Sequence, residues 1–505
     1  MRNHLHDMIT GSRFDQDKAV LRFADGTGWT RRQLFDRVGR YAAVLQSLGL
    51  QAGDRLCLQI EKSAETVALT LGAVQAGVIF NPLNTAYTTA EISYFIGDAE
   101  PKLLVCDPSK REALSKAAEK AGVTHVETLG ADGRGTLSTL ADLAKPMSGA
   151  VARSADDIAA ILYTSGTTGR SKGAMLSHDN LASNALTLKD YWQFSESDVL
   201  LHALPIYHTH GLFVAINTVL VSGASMIFLP KFDPEQILSL MPGATCLMGV
   251  PTFYTRLLQN AGLTKEATAH MRLFVSGSAP LLAETHREWQ ARTGHAILER
   301  YGMTETNMNT SNPYHGERIA GTVGFPLPGV EVRVSDPETG ALLSPDTIGM
   351  LEVKGPNVFK GYWRMPEKTA SEFRSDGFFI TGDLGKIDAK GYVHIVGRGK
   401  DLIISGGFNV YPKEVETEID SMAGVVESAV VGVPHPDFGE GVVGVVVLTK
   451  DATLNEAAIL SHLSASLAKF KQPKRVFIVE DLPRNTMGKV QKNLLRDTYQ
   501  NLFKA

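Results

Sequence analysis

The 505-residue chain has only three cysteines, Cys57, Cys106 and Cys246, which lie far apart and lack metal-ligand spacing. A disulfide framework is excluded, and a reducing, cytoplasmic compartment is expected. Excess positive charge is missing too: 50 Lys and Arg against 54 Asp and Glu leave a formal net charge of -4. That balance carries no electrostatic footprint for nucleic acid, so no such partner is expected and any anionic ligand must be met by local cations. The N-terminal MRNHLHDMITGSRF lacks the apolar core of a signal peptide. The most apolar window, Leu212 to Pro230, is broken by Asn217, Thr218, Ser222, Gly223 and Ser225. It reads as core helix, turn and strand, and no membrane partner is expected. No repeat or low-complexity tract is evident.

What is present is an ordinary globular composition, 44% hydrophobic and 21% charged. The length exceeds what one core usually supports, so two or more domains are expected. Capping boxes at Thr30/Gln33 and Thr88/Glu91 open helices that alternate with short apolar strands at Arg55 to Ile60, Val78 to Phe80 and Leu103 to Cys106. That alternation indicates layered α/β structure. Residues 130–156 lack periodicity and read as a surface connection. From Val323 the texture changes to short strands, EVRV, MLEVKG, GFFITGD and KGYVHIVGR, which suggest a β-rich subdomain. The boundary is placed at Lys400, giving a large domain 1–399 and a small α+β domain 400–505 in which Pro412 opens a helix.

Several short stretches carry chemistry. YTSGTTGRSKG, Tyr163 to Gly173, follows the apolar run Ile158 to Tyr163. Its glycines allow close backbone approach, its hydroxyls donate, and Lys172 adds a point charge, which together describe a phosphate cradle. It is not a Walker A loop, because Ser171-Lys172-Gly173 breaks that pattern. A flexible linker has similar composition, but linkers seldom interrupt a buried strand. In HALPIYHTHGL, His208 and His210 are two apart and could face one side of an extended segment. No carboxylate or cysteine nearby completes a metal set, so a pocket wall is the favoured reading. GVPTFYTR ends in Arg256 amid apolar neighbours, and SGSAP forms a small-residue turn after an apolar run. ERYGMTETNMNTS groups Tyr301, Thr304 and Glu305, an aromatic plate, a hydroxyl and a carboxylate that could serve a base, a phosphate and Mg²⁺. Asp383 in GFFITGDLG suits two ribose hydroxyls, and Lys489 sits in the polar loop PRNTMGK.

In this order, YTSGTTGRSKG, SGSAP, YGMTET, TGDLG, GRGKDLIISGG with NVYPKEVE, and PRNTMGK resemble the adenylate-forming acyl-CoA synthetase superfamily over most of the chain. HALPIYHTHGLFV, GVPTFYTR and YGMTETNMNTS are most similar to its malonate-activating members. The resemblance implies a large N-terminal domain of α/β layers with a distorted β-barrel, and a small mobile C-terminal domain hinged at Lys400. It implies ATP, Mg²⁺ and coenzyme A, with malonate adenylated and then transferred to the thiol; another short acid, such as methylmalonate or acetate, is the alternative substrate. Thr164, Ser165, Gly166, Thr167, Thr168, Gly169 and Lys172 would meet the phosphates, and Tyr301 the adenine beside Ser278, Ala279 and Pro280. Thr304 would touch the α-phosphate, Glu305 would hold Mg²⁺, and Asp383 and Arg398 the ribose. Lys489 would act catalytically, with Thr304, Glu305 and His208. Arg256 would pair the second carboxylate of malonate with Ser276 assisting, while Thr209, His208 and Met308 would line the acyl site. Gly406 and Gly407 would line the coenzyme A channel. Lys489 would also be a target for a lysine acetyltransferase and deacetylase. One departure is Ser171, where many family members have proline.

Overall fold

The computed structural model describes residues 3–11, 14–164, 171–405, 408–485 and 488–503. One sheet has six strands in the order His125–Thr128, Leu103–Cys106, Arg55–Gln59, Ile79–Pro82, Ile158–Thr164 and Lys172–Ser177. Its pairs are parallel as far as Ile158–Thr164, while the last pair is an antiparallel hairpin in which Thr164 faces Lys172. The expected phosphate loop is therefore the connection of a hairpin. The helix His178–Tyr191 follows the returning strand, capped reciprocally by Ser177 and Asn180.

A second, nine-stranded sheet contains Val199–His202, Cys246–Gly249, Leu273–Ser276 and Leu298–Met303 as consecutive neighbours. These four strands are parallel, so their carboxyl ends open on one side. Their apolar residues are buried on both faces, as parallel strands between helical layers require. One hydrophobic core joins both sheets, with Trp192, Trp289, Tyr254 and Phe274 among its largest buried side chains. Residues 130–156 differ from the expected connection: they contain the helix Thr136–Leu143, whose Leu137 and Ala141 are buried in that core.

The β-rich region forms a four-stranded antiparallel sheet, Glu331–Ser335, Gly349–Lys354, Phe379–Ile387 and Val393–Arg398. The expected distorted barrel does not close among the described residues, because the first and last strands do not pair with each other. Irregularities after Met350 and Leu384 bend the sheet without completing a cylinder.

The C-terminal unit is α+β, with a five-stranded sheet built on the hairpin Val425–His435 and Gly439–Leu448. Both faces of that hairpin are apolar and both are covered. Helices Pro412–Asp420 and Glu456–Ser466 pack on one, and Leu495 of the helix Lys492–Tyr499 packs on the other. Among the described residues no helix is long and apolar enough to cross a membrane.

Asn180 ties the helix behind the phosphate hairpin to the β-rich region. Its Nδ2 donates to the carbonyls of Pro356 and Val358 at 2.7 and 2.8 Å. Phe359 in the same segment donates its amide to the Glu305 carbonyl. Asn180→Ala removes a cap and two buried hydrogen bonds, and chemical denaturation is expected to show a loss of about 2–4 kcal/mol.

Candidate active site

The four parallel strands deliver side chains to one opening, where open α/β sheets place their ligands. Beyond Val199–His202 lie His208, Thr209 and His210. Gly211 is needed there, because a Cβ would sit 2.1 Å from the Pro205 carbonyl oxygen. Beyond Leu273–Ser276 comes Ser278 in the left-handed region, with φ of 72°. Its hydroxyl shares a 3.2 Å hydrogen bond with His210 Nδ1. Ala279 and Pro280 complete the turn, with Pro280 exposed. Beyond Leu298–Met303, Thr304 and Glu305 occupy the turn of a hairpin that pairs Tyr301 with Thr310.

Asp383 is buried and anchors one end of the opening. The Tyr301 hydroxyl donates to its Oδ2 at 2.5 Å, and Arg398 Nε lies 2.7 Å from Oδ1. Each carboxylate oxygen keeps a lone pair free, so the expected pairing with two ribose hydroxyls remains geometrically open. Burial, reinforced by the Asp383 charge, pushes the Tyr301 phenol well up.

Lys172 stands at the second end. Its ammonium lies 3.2 Å from Glu372 and 4.2 Å from the centre of the Tyr362 ring. The Tyr362 hydroxyl bridges two carboxylates, at 2.6 Å from Glu372 and 3.0 Å from Glu305. Burial raises the Glu305 carboxyl, against the pull of Tyr362, Arg398 and Lys172. Glu372 is held low: burial works against ionisation, but hydrogen bonds from Lys368 and Tyr362 and the Lys172 charge outweigh it. Ser171, the departure from the family pattern, is tied in place by the Tyr94 hydroxyl, which donates to its carbonyl at 2.7 Å. Thr164 lies 3.5 Å from the Lys172 carbonyl. Ser165, Gly166, Thr167, Thr168 and Gly169, and likewise Gly406 and Gly407, fall outside the described residues.

Several buried polar atoms lack a hydrogen-bond partner among the described residues. His208 Nε2, Thr209 Oγ1, His210 Nε2, Ser276 Oγ and both Nε and Nη2 of Arg300 are buried without a hydrogen bond. Arg300 is 4% exposed and has no ion pair among the described residues. Its guanidinium lies flat on Gly277, where a Cβ would come within 2.3 Å of Cζ. Burial pushes Arg300 down to about 9, which leaves it cationic at neutral pH. Burial also lowers His208 to about 4, with the Lys489 charge adding to the effect. His210 is likewise lowered well below the ordinary histidine value by burial and by Arg300, so both imidazoles are neutral.

Lys489 reaches this space from the C-terminal unit. Its loop is closed by Asn485, whose amide donates to the Lys489 carbonyl while its side chain accepts from the Lys489 amide. Arg484 donates to the Gly488 carbonyl at 2.7 Å and pairs with Glu427. The Lys489 side chain is solvent-accessible, and the charges of Arg398, Asp383, Glu305 and Arg300 act on its ammonium. Burial and the two arginines lower its pKa, with the carboxylates opposing.

The structure joins Tyr301, Asp383 and Arg398 directly, and places Glu305, His208 and Lys489 within electrostatic range of that group or of one another. Met308 is buried, and its carbonyl accepts from Asn184 at 3.0 Å and from Asn357 at 3.1 Å. Arg256 is exposed on the helix Pro251–Leu258, one turn beyond Thr252, which faces Gly488. It therefore stands at the rim. The cation inside the pocket is Arg300, which sequence reasoning missed. Its local signal is only a charged residue just before Tyr301. Tyr362 and Glu372 were missed as well, being remote in sequence from every phosphate motif.

The sequence profile of the AMP-binding enzyme family matches residues 10–363, and that of the AMP-binding enzyme C-terminal domain matches residues 414–489. The malonate–CoA ligase of Arabidopsis thaliana is 35% identical over 498 residues, covering 92% of this chain and 81% of that protein. The crystal structure of ATP-bound MatB from Rhodopseudomonas palustris is 66% identical over 100% of both chains, with a TM-score of 0.98. Against apo MatB from the same organism, at 66% identity and 100% coverage of both chains, the TM-score is 0.87, so this chain's arrangement is nearer the ATP-bound one. The profile spans well over half of the sequence, and the chain belongs to the AMP-binding enzyme family.

Proposed function

We propose that the protein ligates malonate to coenzyme A, using MgATP and passing through malonyl-AMP, to give malonyl-CoA, AMP and pyrophosphate. The observation that carries this reading is the set of unpaired polar atoms around Arg300, next to Lys489. Malonate keeps a second carboxylate after the first has reacted, and burying that charge without a partner costs several kcal/mol. Arg300 offers N–H groups unsatisfied among the described residues, and the Ser276 and Thr209 hydroxyls are likewise buried and unpaired. Arg256 adds a second cation at the mouth. A fatty acyl chain would leave all of these groups unpaired.

In the first half-reaction a malonate oxygen attacks the α-phosphorus and the bond to pyrophosphate breaks. Lys489 bridges the attacking carboxylate and the α-phosphoryl oxygens, offsetting charge that concentrates there. Thr304 orients the α-phosphate, Asp383 and Arg398 hold the ribose, and Tyr301 with the Ser278 to Pro280 turn receives the adenine. Glu305 fits a magnesium site that uses one carboxylate together with the triphosphate; among the described residues its buried oxygens have only the Tyr362 hydroxyl as a side-chain partner. Among the described residues no set of three or more His, Cys, Asp or Glu could hold a metal alone. Bound there, the ion would neutralise phosphate charge. Neutral His208 and the α-carbon limits set by Thr209 and Met308 complete the acyl site.

In the second half-reaction the thiolate attacks the acyl carbon and AMP leaves, with the small domain, residues 400–505, turned about Lys400. Lys489 then withdraws and Gly406 and Gly407 line the coenzyme A channel. The three buried free thiols fit a cytoplasmic setting. A lysine acetyltransferase and deacetylase acting on Lys489 would control the first step.

A pyrophosphate-release assay over malonate, methylmalonate, acetate and an aryl acid, with identification of AMP and the acyl-CoA, tests the assignment; preference for a monoacid sinks it. Arg300→Met should lower kcat/KM for malonate roughly a hundredfold and raise the melting temperature, because an unpaired buried cation is replaced by an apolar side chain. Arg256→Ala should also lose most malonate turnover; unchanged turnover there would leave Arg300 as the only carboxylate partner. Acetylated Lys489 should fail to release pyrophosphate yet still form thioester from supplied malonyl-AMP, and loss of both halves would contradict that division. The protonated Lys489 amine is the working form and its folded pKa is depressed. The kcat/KM for pyrophosphate release should therefore decline with rising pH before the ordinary lysine value of 10.5 is reached.

A further inference from the structure

We propose that Glu372 is a counter-ion that holds Lys172 until the β- and γ-phosphates of ATP take it over, and that reclaims it when pyrophosphate leaves. The inference rests on the reading above that Lys172 faces those phosphates. Glu372 closes the short helix Pro366–Ser371 and belongs to no phosphate motif. Three donors converge on its carboxylate: Lys172 at 3.2 Å, Lys368 at 2.7 Å and the Tyr362 hydroxyl at 2.6 Å. The Lys172 and Glu372 side chains are 20% and 19% exposed, so their attraction is only partly screened. Tyr362 completes the holder, since its ring lies under the ammonium and its hydroxyl fixes the carboxylate.

A lysine held this way is already aimed and desolvated on one side, so little side-chain entropy is lost when it changes partner. A carboxylate offers one negative charge, whereas a β,γ-diphosphate group offers more, so exchange towards ATP is favourable. AMP lacks those phosphates and leaves Lys172 on Glu372. Glu372 therefore acts as a competitor that weakens ground-state binding of the triphosphate and assists departure of pyrophosphate. A purely structural carboxylate would do the reverse, because its loss would loosen Lys172 and weaken ATP.

The sign of the effect makes the test decisive. Calorimetry on the full-length protein, with ATP and AMP in EDTA so that no metal enters, measures the ratio of their dissociation constants, Kd(ATP)/Kd(AMP). Glu372→Gln keeps the shape and can still accept from Tyr362; it should lower this ratio roughly three- to tenfold. Lys172→Ala should raise the ratio, and in that background Glu372→Gln should no longer lower it. A ratio unchanged or raised by Glu372→Gln overturns the proposal. So does an equal fall in both backgrounds, which would mean general repulsion of phosphate. If Lys172→Ala leaves ATP affinity unaltered, both this inference and the phosphate role of Lys172 fall. Glu372→Ser, compared by the same thermal melt, carries the same expectation should the glutamine variant not fold.

Discussion

A buried guanidinium without a counter-ion is an electrostatic cost, and the rest of the site is arranged around the one that Arg300 imposes. Gly277 has no side chain because the guanidinium fills that volume. His210 and His208 are neutral because burial beside Arg300 and Lys489 opposes a further positive charge. Ser276 and Thr209 keep their hydroxyls unpaired in the same space. Such an arrangement is unfavourable alone and becomes favourable only when an anion enters. Stability forgone in the free protein is thereby available for recognition.

The phosphate side follows the opposite logic. There the cation, Lys172, is already paired, and the carboxylates Glu305 and Glu372 share one phenol. The opening thus holds one buried cation, Arg300, unpaired among the described residues and another, Lys172, already paired. The pKa of Lys489, carried by a different unit, is lowered by burial and by both arginines. Four parallel strands whose carboxyl ends coincide make this possible, since each strand aims a separate loop at one point.

Much of the fold could be read from local signals. The strand Leu103–Cys106 has the expected limits, and both capping boxes are formed. The helices Thr136–Leu143 and Lys492–Tyr499 escaped notice. They are short, and their apolar residues make sense only against surfaces supplied by distant strands. The β-rich region was recognisable as strands, but whether its first and last strands meet depends on bulge positions that no periodicity reveals.

In the site, Tyr301, Thr304, Glu305, Asp383 and Lys489 were singled out through the family resemblance of their motifs, since a turn aspartate or a polar-loop lysine carries little local signal alone. Arg256 was singled out for its residue type, yet the helix carrying it turns that side chain to the rim, while the inward cation comes from the neighbouring strand. Sequence by itself determined the chemistry available: hydroxyls, carboxylates and lysines at the ends of apolar strands. Only tertiary structure decided which cation is desolvated and which is already paired. Burial and partner distance depend on contacts between residues far apart in the chain, such as Lys172 with Glu372 and Gly277 with Arg300.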